Sequence, residues 1–400
     1  VLRTVAVENY RSLRRLVVGL DRVTVVTGAN GSGKSSLYRA LRLLADCSRN
    51  GAVAALARQG GLSSTLWAGP EQLSAGMRDG SEPVQGTRRN RPVELRLGFA
   101  GDEIGYCVDF GLPMPGSTSP TTSLFVRDPE IKRECTWSGP VLRPAALLSD
   151  RSNGAVRIRA DDGSWTRLDH QLRPFDSMLS EIADPERAPE LLQLREHLRS
   201  WRFYDHVRTD AGAPARASSV GTRTPVLSGD GADLAAALQT VRESGDAGSL
   251  DAAVDSAFPG SRIAIEENRG LFELTLKQRG LLRPLAASEL SDGTLRYLIW
   301  VAALLTPDPP PLLVLNEPET SLHPDLLPAL ADLVRRASRE SQIIVVTHSR
   351  PLVRALESGG SSAADPDAGI STIELVKDVG QTIVEGAGTL DAPAWHWPSR

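Results

Sequence analysis

Apolar and polar positions divide the chain into an ordered start, a punctuated middle and an ordered end. Val5 to Asn9 and Leu13 to Leu20 read as short strands, and Val23-Thr24-Val25-Val26-Thr27 is a β-branched run suited to a buried parallel strand. A glycine-rich turn follows at once. Beyond it Leu37, Ala40, Leu41 and Leu44 recur at helical spacing, which predicts an amphipathic helix from Lys34 to about Asp46. Order returns at Leu285. A helix beginning near Gly293 carries Leu295, Leu298, Ile299, Ala302 and Leu305 on one face; a strand over Leu312 to Leu315, a helix from about Asp325 to Ser338 and a strand over Ile343 to Val346 follow. Alternation of strand and helix implies a parallel sheet covered on both faces.

Between Gly51 and Pro284 the pattern changes, with Gly, Pro, Ser and Arg densest in Met77 to Pro92 and Gly111 to Thr122. Val93 to Phe99, Gly105 to Phe110 and Leu271 to Gln278 alternate as antiparallel strands do. Glu190 to Arg202 and Ala232 to Ser244 are expected helices, the second opening near Asp230 or Asp233. After Gly359 a Gly/Ser/Ala-rich stretch leads to two short strands near Ile373 and Ile383 and an irregular tail from Gly386.

Composition narrows the classes. The chain of 400 residues can bury a sizeable core. Its longest apolar run, Tyr297 to Leu305, is far short of the roughly 20 residues that cross a bilayer, so no membrane partner is expected. Its opening residues do not follow the basic, apolar, small-residue pattern of a secretory leader, so secretion is not expected. Cys47, Cys107 and Cys135 are odd in number and lack CxxC spacing, which argues against a disulfide framework or zinc site and for a reducing cytoplasm. A net charge of −4 gives no global pull towards nucleic acid. The chain has only four lysines, a scarcity that reads as coding bias, yet Lys34 falls in the glycine-rich turn.

That turn, Gly28-Ala29-Asn30-Gly31-Ser32-Gly33-Lys34-Ser35, matches the phosphate-loop pattern, with the strand before it and the helix after it that the pattern needs. Gly28, Gly31 and Gly33 let backbone N–H groups turn inward around phosphate oxygens, and the helix N-terminus adds partial positive charge. Ala29, Asn30, Ser32 and Ser36 complete the candidate ATP contact. Lys34 would reach the terminal phosphates and Ser35 would hold Mg²⁺. The alternative is an ordinary glycine turn before a helix.

Three further motifs follow in order. Leu312-Leu313-Val314-Leu315-Asn316-Glu317 is a buried strand ending in polar groups. Glu317 is the candidate general base for the water that attacks the γ-phosphate. Asn316 stands where an Asp would support Mg²⁺, supplying an oxygen without charge. His348, in Thr347-His348-Ser349, ends another apolar strand and is the candidate γ-phosphate contact. Leu290-Ser291-Asp292-Gly293-Thr294 precedes a helix, so Ser291 and the amides around Gly293 make a second anion site or, equally, an N-cap. His323 shapes a loop or a subunit contact.

Together with Glu8-Asn9-Tyr10-Arg11-Ser12-Leu13 and Asn316-Glu317-Pro318-Glu319-Thr320-Ser321-Leu322-His323-Pro324, these motifs resemble the ABC-type ATPase heads of the RecF/SMC-like group. The closer resemblance is to RecF-like predicted ATPases of the AAA class. It implies an α/β P-loop NTPase with a mainly parallel sheet flanked by helices, an antiparallel β subdomain and an inserted α+β region. Residues 1–50 and 285–390 would form the two parts of the head, 51–284 the insertion and 391–400 a tail. The resemblance also implies ATP and Mg²⁺ as cofactors, ATP-dependent head dimerisation as a conformational switch, and ATP hydrolysis, in a setting of DNA repair or maintenance. Two copies would sandwich two ATP molecules, each phosphate loop facing the partner's Ser291 motif, with Glu319 to Leu322 as the D-loop near the interface. The chain departs from the pattern at Asn316 and at Asp292, a common glycine position, and Gln59 is the candidate for the Q-loop. Two alternatives stand beside the switch. One is an ATP-gated DNA clamp using Arg88, Arg89 and Arg91, or Arg202 with Trp201, Phe203 and Tyr204, although a solvated loop for the first group and a core helix end for the second are the preferred readings of those residues. The other is a regulatory subunit of a defence or toxin system, with an effector protein as partner and little hydrolysis of its own.

Overall fold

The structure is a computed structural model that describes residues 1–400 except 50, 85–91, 114–123, 170, 206, 359–368, 389–390 and 400. It comprises two compact units. Val1–Leu20, Thr27–Trp201 and Ile373–Arg400 form the first; Asp21–Val26 and Arg202–Thr372 form the second. The stretch 51–284, read from sequence as one insertion, is therefore shared between them, dividing at Trp201 and Arg202. Among the described residues no helix is long and apolar enough to cross a membrane.

The first unit is built on an eight-stranded sheet. Its order is Leu13–Gly19, Leu2–Tyr10, Leu95–Gly101, Ile104–Gly111, Glu130–Ser138, Leu147–Ser152, Ala155–Arg159 and Trp165–Arg167, with every neighbouring pair antiparallel. The alternating stretches at 93–99 and 105–110 form two of these strands. The helix Lys34–Cys47 packs on the sheet with Leu37, Leu41 and Leu44 buried, the stripe that its spacing predicts. Cys47, Cys107 and Cys135 are buried free thiols. A C-terminal hairpin pairs Leu375 with Val384 through to Asp378 with Gln381.

Deep in this unit lies an ion pair, Arg151 Nη1 to Glu134 Oε2 at 3.1 Å, with both side chains fully buried. Burying two charges costs several kcal/mol per ion unless every remaining polar site is satisfied. Glu134 also accepts from Tyr106 Oη at 2.7 Å, from the Met178 N–H at 2.9 Å and from the Ser177 hydroxyl. Arg151 donates to the carbonyls of Asn153 at 2.7 Å, Arg173 at 3.0 Å and Asp176. The pair thus ties the loop around residues 173–178 to the sheet.

The second unit centres on parallel strands in the order Arg202–Tyr204, Leu312–Asn316, Gln342–Val346 and Val23–Thr27. Leu312 to Leu315, Gln342 to Val346 and Val23 to Val26 are buried continuously, as expected of strands covered on both faces. The helix expected to begin near Gly293 runs over Asp292–Leu304 and is buried almost all round rather than on one face. Helices Leu234–Ser244, Ala247–Ala257 and Leu327–Ala337 all pack on it, which makes it the unit's central helix. A small antiparallel sheet of Ser219–Val220, Leu271–Lys277, Arg262–Asn268 and Leu285–Ala286 completes the unit.

One helix is shorter than its periodicity suggests. Pro189–Ser200 ends before Arg202, because Arg202 to Tyr204 pair in parallel with Leu313 to Leu315. Sheet pairing overrides helical propensity there.

The buried pair carries a prediction. Glu134→Ala strands the Arg151 charge and should lower stability by about 3–5 kcal/mol, read as a shifted urea midpoint. A loss within about 1 kcal/mol would mean that water reaches Arg151.

Candidate functional site

In the first unit the chain enters the loop Gly28–Gly33 and leaves it as the helix Lys34–Cys47. Gly28, Gly31 and Gly33 have φ of +139°, +80° and +113°, backbone that disfavours any side chain. Two of them are also crowded. A Cβ on Gly28 would lie 2.2 Å from the Leu375 carbonyl oxygen, and one on Gly33 would lie 2.2 Å from Thr382 Oγ1. The C-terminal hairpin therefore braces the loop from behind. Thr382 Oγ1 donates to the Ser32 carbonyl at 2.7 Å and lies 2.8 Å from Ser12 Oγ.

The loop's electrostatics point to an anion. Lys34 is 6% exposed, and its ammonium donates to the carbonyls of Gly28 at 2.6 Å and Ala29 at 3.0 Å, its only acceptors among the described residues. Ser32 Oγ is buried with no hydrogen-bond partner among the described residues. The first turn of the helix carries no acidic residue, so its positive end is not neutralised. A buried cation, an orphaned hydroxyl and a bare helix N-terminus would all be satisfied by phosphate oxygens. Ser35 is exposed on that first turn and Ser36 is partly so.

In the second unit the parallel register sets Asn316 beside Val346 and Val346 beside Val26, so three strands end together. The Glu317 N–H donates to the Val346 carbonyl at 2.7 Å, and the Thr347 N–H to the Val26 carbonyl at 3.0 Å. These bonds hold Glu317 at φ +48°, an unfavourable value for a residue with a side chain. Glu317 Oε1 lies 3.4 Å from His348 Nδ1, with both side chains about half exposed. Glu319 lies behind them at 8% exposure, its Oε1 3.6 Å from His348 Nδ1. It accepts from the Thr347 hydroxyl and, at 3.4 Å, from the His348 N–H. Glu319, which the resemblance sets near an interface, is thus a buried brace for the Thr347–His348 turn, while Thr320 and Ser321 are exposed.

The Ser291 turn occupies the same unit. Ser291 Oγ accepts from the Thr294 N–H at 3.2 Å, so the N-cap reading is realised. A Cβ on Gly293 would lie 2.7 Å from the Ser321 carbonyl oxygen, which explains the glycine by close approach. Ser291, Gly293, Thr294, Ser321 and His323 line a cavity of about 480 Å³. His323 is exposed and its Nδ1 accepts from the Asp325 N–H at 3.4 Å, a loop-shaping contact. Just before the turn, hydrogen bonds from Arg283 and then from the Ala286 N–H push the Glu289 carboxyl down to about 2.

The phosphate loop thus belongs to the first unit, and the Ser291, Glu317 and His348 motifs to the second. The nucleic-acid candidates fare differently. Arg88, Arg89 and Arg91 lie outside the described residues. Trp201 is fully buried in the first unit, its ring centroid 5.4 Å from that of Phe99. Phe203 and Tyr204 are buried strand residues of the second unit, with Tyr204 Oη donating to the Leu227 carbonyl at 2.9 Å. Core packing consumes the stacking faces expected for bases, and Arg202 is part of the same strand. The Gln59 side-chain oxygen accepts from the Tyr10 hydroxyl.

A family model described as "AAA domain, putative AbiEii toxin, Type IV TA system" matches residues 23–355. No curated protein matches the chain. Among solved structures it is similar to the SMC head domain from Thermotoga maritima at 14% identity, covering 97% of this chain and 99% of that one, with a TM-score of 0.47. It is also similar to an SmcHead bound to the C-winged helix domain of ScpA, at 13% identity, 98% and 99% coverage and a TM-score of 0.49.

The glycine geometry makes a graded prediction. Gly28→Ala meets backbone as well as an unfavourable φ and should weaken binding of a fluorescent ATP analogue by about tenfold or more. Gly31→Ala has open space at its Cβ and only the dihedral cost, so the loss should be about fivefold or less. Equal losses would contradict the bracing by the hairpin.

Proposed function

The chain belongs to this AAA-domain family, nucleotide-binding ATPases by type, and from that premise we propose that it binds ATP with Mg²⁺, hydrolyses it, and closes as a dimer while ATP is bound. The observation that carries the reading is the half-exposed Glu317–His348 pair at 3.4 Å, at the ends of three parallel strands in register. A carboxylate there can take a proton from water, and an imidazole beside it can contact the phosphate under attack. Lys34 would bind the terminal phosphates, and Ser291 with the amides near Gly293 would receive the partner copy's nucleotide. Ser35 and Asn316 would hold Mg²⁺, which when bound supplies charge neutralisation of the phosphates.

Asn316 bears on the pace of the cycle. It would offer the metal an oxygen but no charge, which favours slow turnover and a long-lived ATP state. That favours ATP as a switch over ATP as a fuel. The family description mentions a putative toxin and a type IV toxin–antitoxin system. With slow turnover, this supports a second reading: a regulatory subunit acting on an effector protein.

Mg²⁺-dependent turnover tests the proposal. Glu317→Gln should lower kcat by about 100-fold or more while ATP binding persists. Asn316→Asp should raise turnover or lower the Mg²⁺ concentration it needs. Undiminished hydrolysis in Glu317→Gln would remove Glu317 as the base.

A further inference from the structure

Arg216 stands about 75 residues before the Ser291 motif in the chain, yet its guanidinium is spent on that motif. It sits in the turn Pro214–Arg216, with its side chain 9% exposed. Nη1 donates to the carbonyls of Leu290 at 2.7 Å, Ala287 at 3.1 Å and Ser288 at 3.3 Å. Nη2 donates to Asp292 Oδ1 at 2.7 Å and to the Thr209 carbonyl at 2.7 Å. Nε donates to the carbonyls of Thr209 at 2.9 Å and Asp210 at 3.0 Å. All three nitrogens are engaged, and one rigid fork ties the turn before the helix Asp292–Leu304 to the segment 209–210.

The charge balance gives this clamp a purpose. Asp292 is 55% exposed in the first turn of the helix. An acid there suits the helix dipole, but it repels any phosphate brought to Ser291. Arg216 is the ion-pair partner of Asp292. It holds the carboxylate and cancels its charge from the buried side, leaving the Ser291 hydroxyl and the N-terminal amides to set the local potential.

We propose that Arg216 is a positioning residue for the turn Leu290–Thr294 and that it neutralises Asp292, so that this turn can receive the partner's ATP. The inference rests on the ATP-closed dimer proposed above. It makes a prediction that a purely structural arginine would not share: the defect caused by losing Arg216 should be repaired in part by also losing the acid.

The test compares parent, Arg216→Gln, Asp292→Asn and the double variant Arg216→Gln/Asp292→Asn. Dimerisation with Mg²⁺ and a non-hydrolysable ATP analogue is followed by sedimentation, and nucleotide affinity is measured at protein concentrations where the chain is monomeric. Arg216→Gln should weaken dimerisation by about tenfold or more, as loss of one partner of a charged pair does. Affinity of the monomer for nucleotide should stay unchanged. The double variant should recover a clear part of that loss, the remainder reflecting the bonds to the Ala287, Ser288 and Leu290 carbonyls that Arg216 no longer makes. Asp292→Asn alone, with Arg216 left to face the phosphate, should dimerise more tightly; this arm decides the matter if Arg216→Gln does not fold. Parent-like dimerisation by Arg216→Gln, a double variant as weak as the single, or no tightening in Asp292→Asn would each overturn the assignment. A parent that fails to dimerise would show up before any variant is compared and would overturn the dimer reading and this inference together.

Discussion

Lys34 is an ammonium group taken almost wholly out of water and given, among the described residues, two carbonyl oxygens in return. A cation in that position is costly unless an anion answers it, and much of the first unit's detail serves to hold it there. The glycines allow the loop to fold over the ammonium. The C-terminal hairpin presses on Gly28 and Gly33 so that the loop has one shape, and the hydroxyl of Thr382 fixes the carbonyl of Ser32. The loop is preorganised for negative charge before any ligand arrives, and preorganisation is what makes such sites bind phosphate well.

The second unit meets a different constraint. Three parallel strands must end in register for Glu317 and His348 to stand side by side. The ladder that sets Asn316 beside Val346 and Val346 beside Val26, closed by the Glu317 and Thr347 N–H bonds, holds that register. Glu317 is then held in an unfavourable backbone conformation by its N–H bond to Val346. Glu319 plays the quieter part, bracing Thr347 and the His348 backbone from below. The strain sits beside the carboxylate assigned to catalysis, where stored strain is commonly found.

Local features were legible in the amino-acid sequence. The β-branched run at Val23, the glycine spacing and the leucine stripe from Leu37 to Leu44 each declare themselves within a dozen or so residues, and the structure has them where their periods place them. What escaped notice depends on distant partners. The strand Arg202–Tyr204 is only three residues long and exists because Leu313 to Leu315 lie beside it, so it reads as the end of a helix. Thr382 lies 350 positions from Ser32, and no local pattern marks it as a brace. The aromatic cluster at Trp201, Phe203 and Tyr204 has a composition that suits base stacking as well as a core, and its burial agrees with the core reading preferred from sequence. Composition cannot tell those uses apart, because burial is decided by elements elsewhere in the chain.

The central claim is that each ATP is completed by two copies of the chain, a phosphate loop from one and a Ser291 turn from the other. Complementation between two dead variants tests it directly. Lys34→Ala and Ser291→Arg should each hydrolyse ATP at background rates alone. Mixed in equal amounts they form heterodimers with one intact site, so turnover should recover to about a quarter of the parent rate under random pairing. Recovery would establish the shared site. A mixture as inactive as its components, with subunit exchange verified, would contradict it.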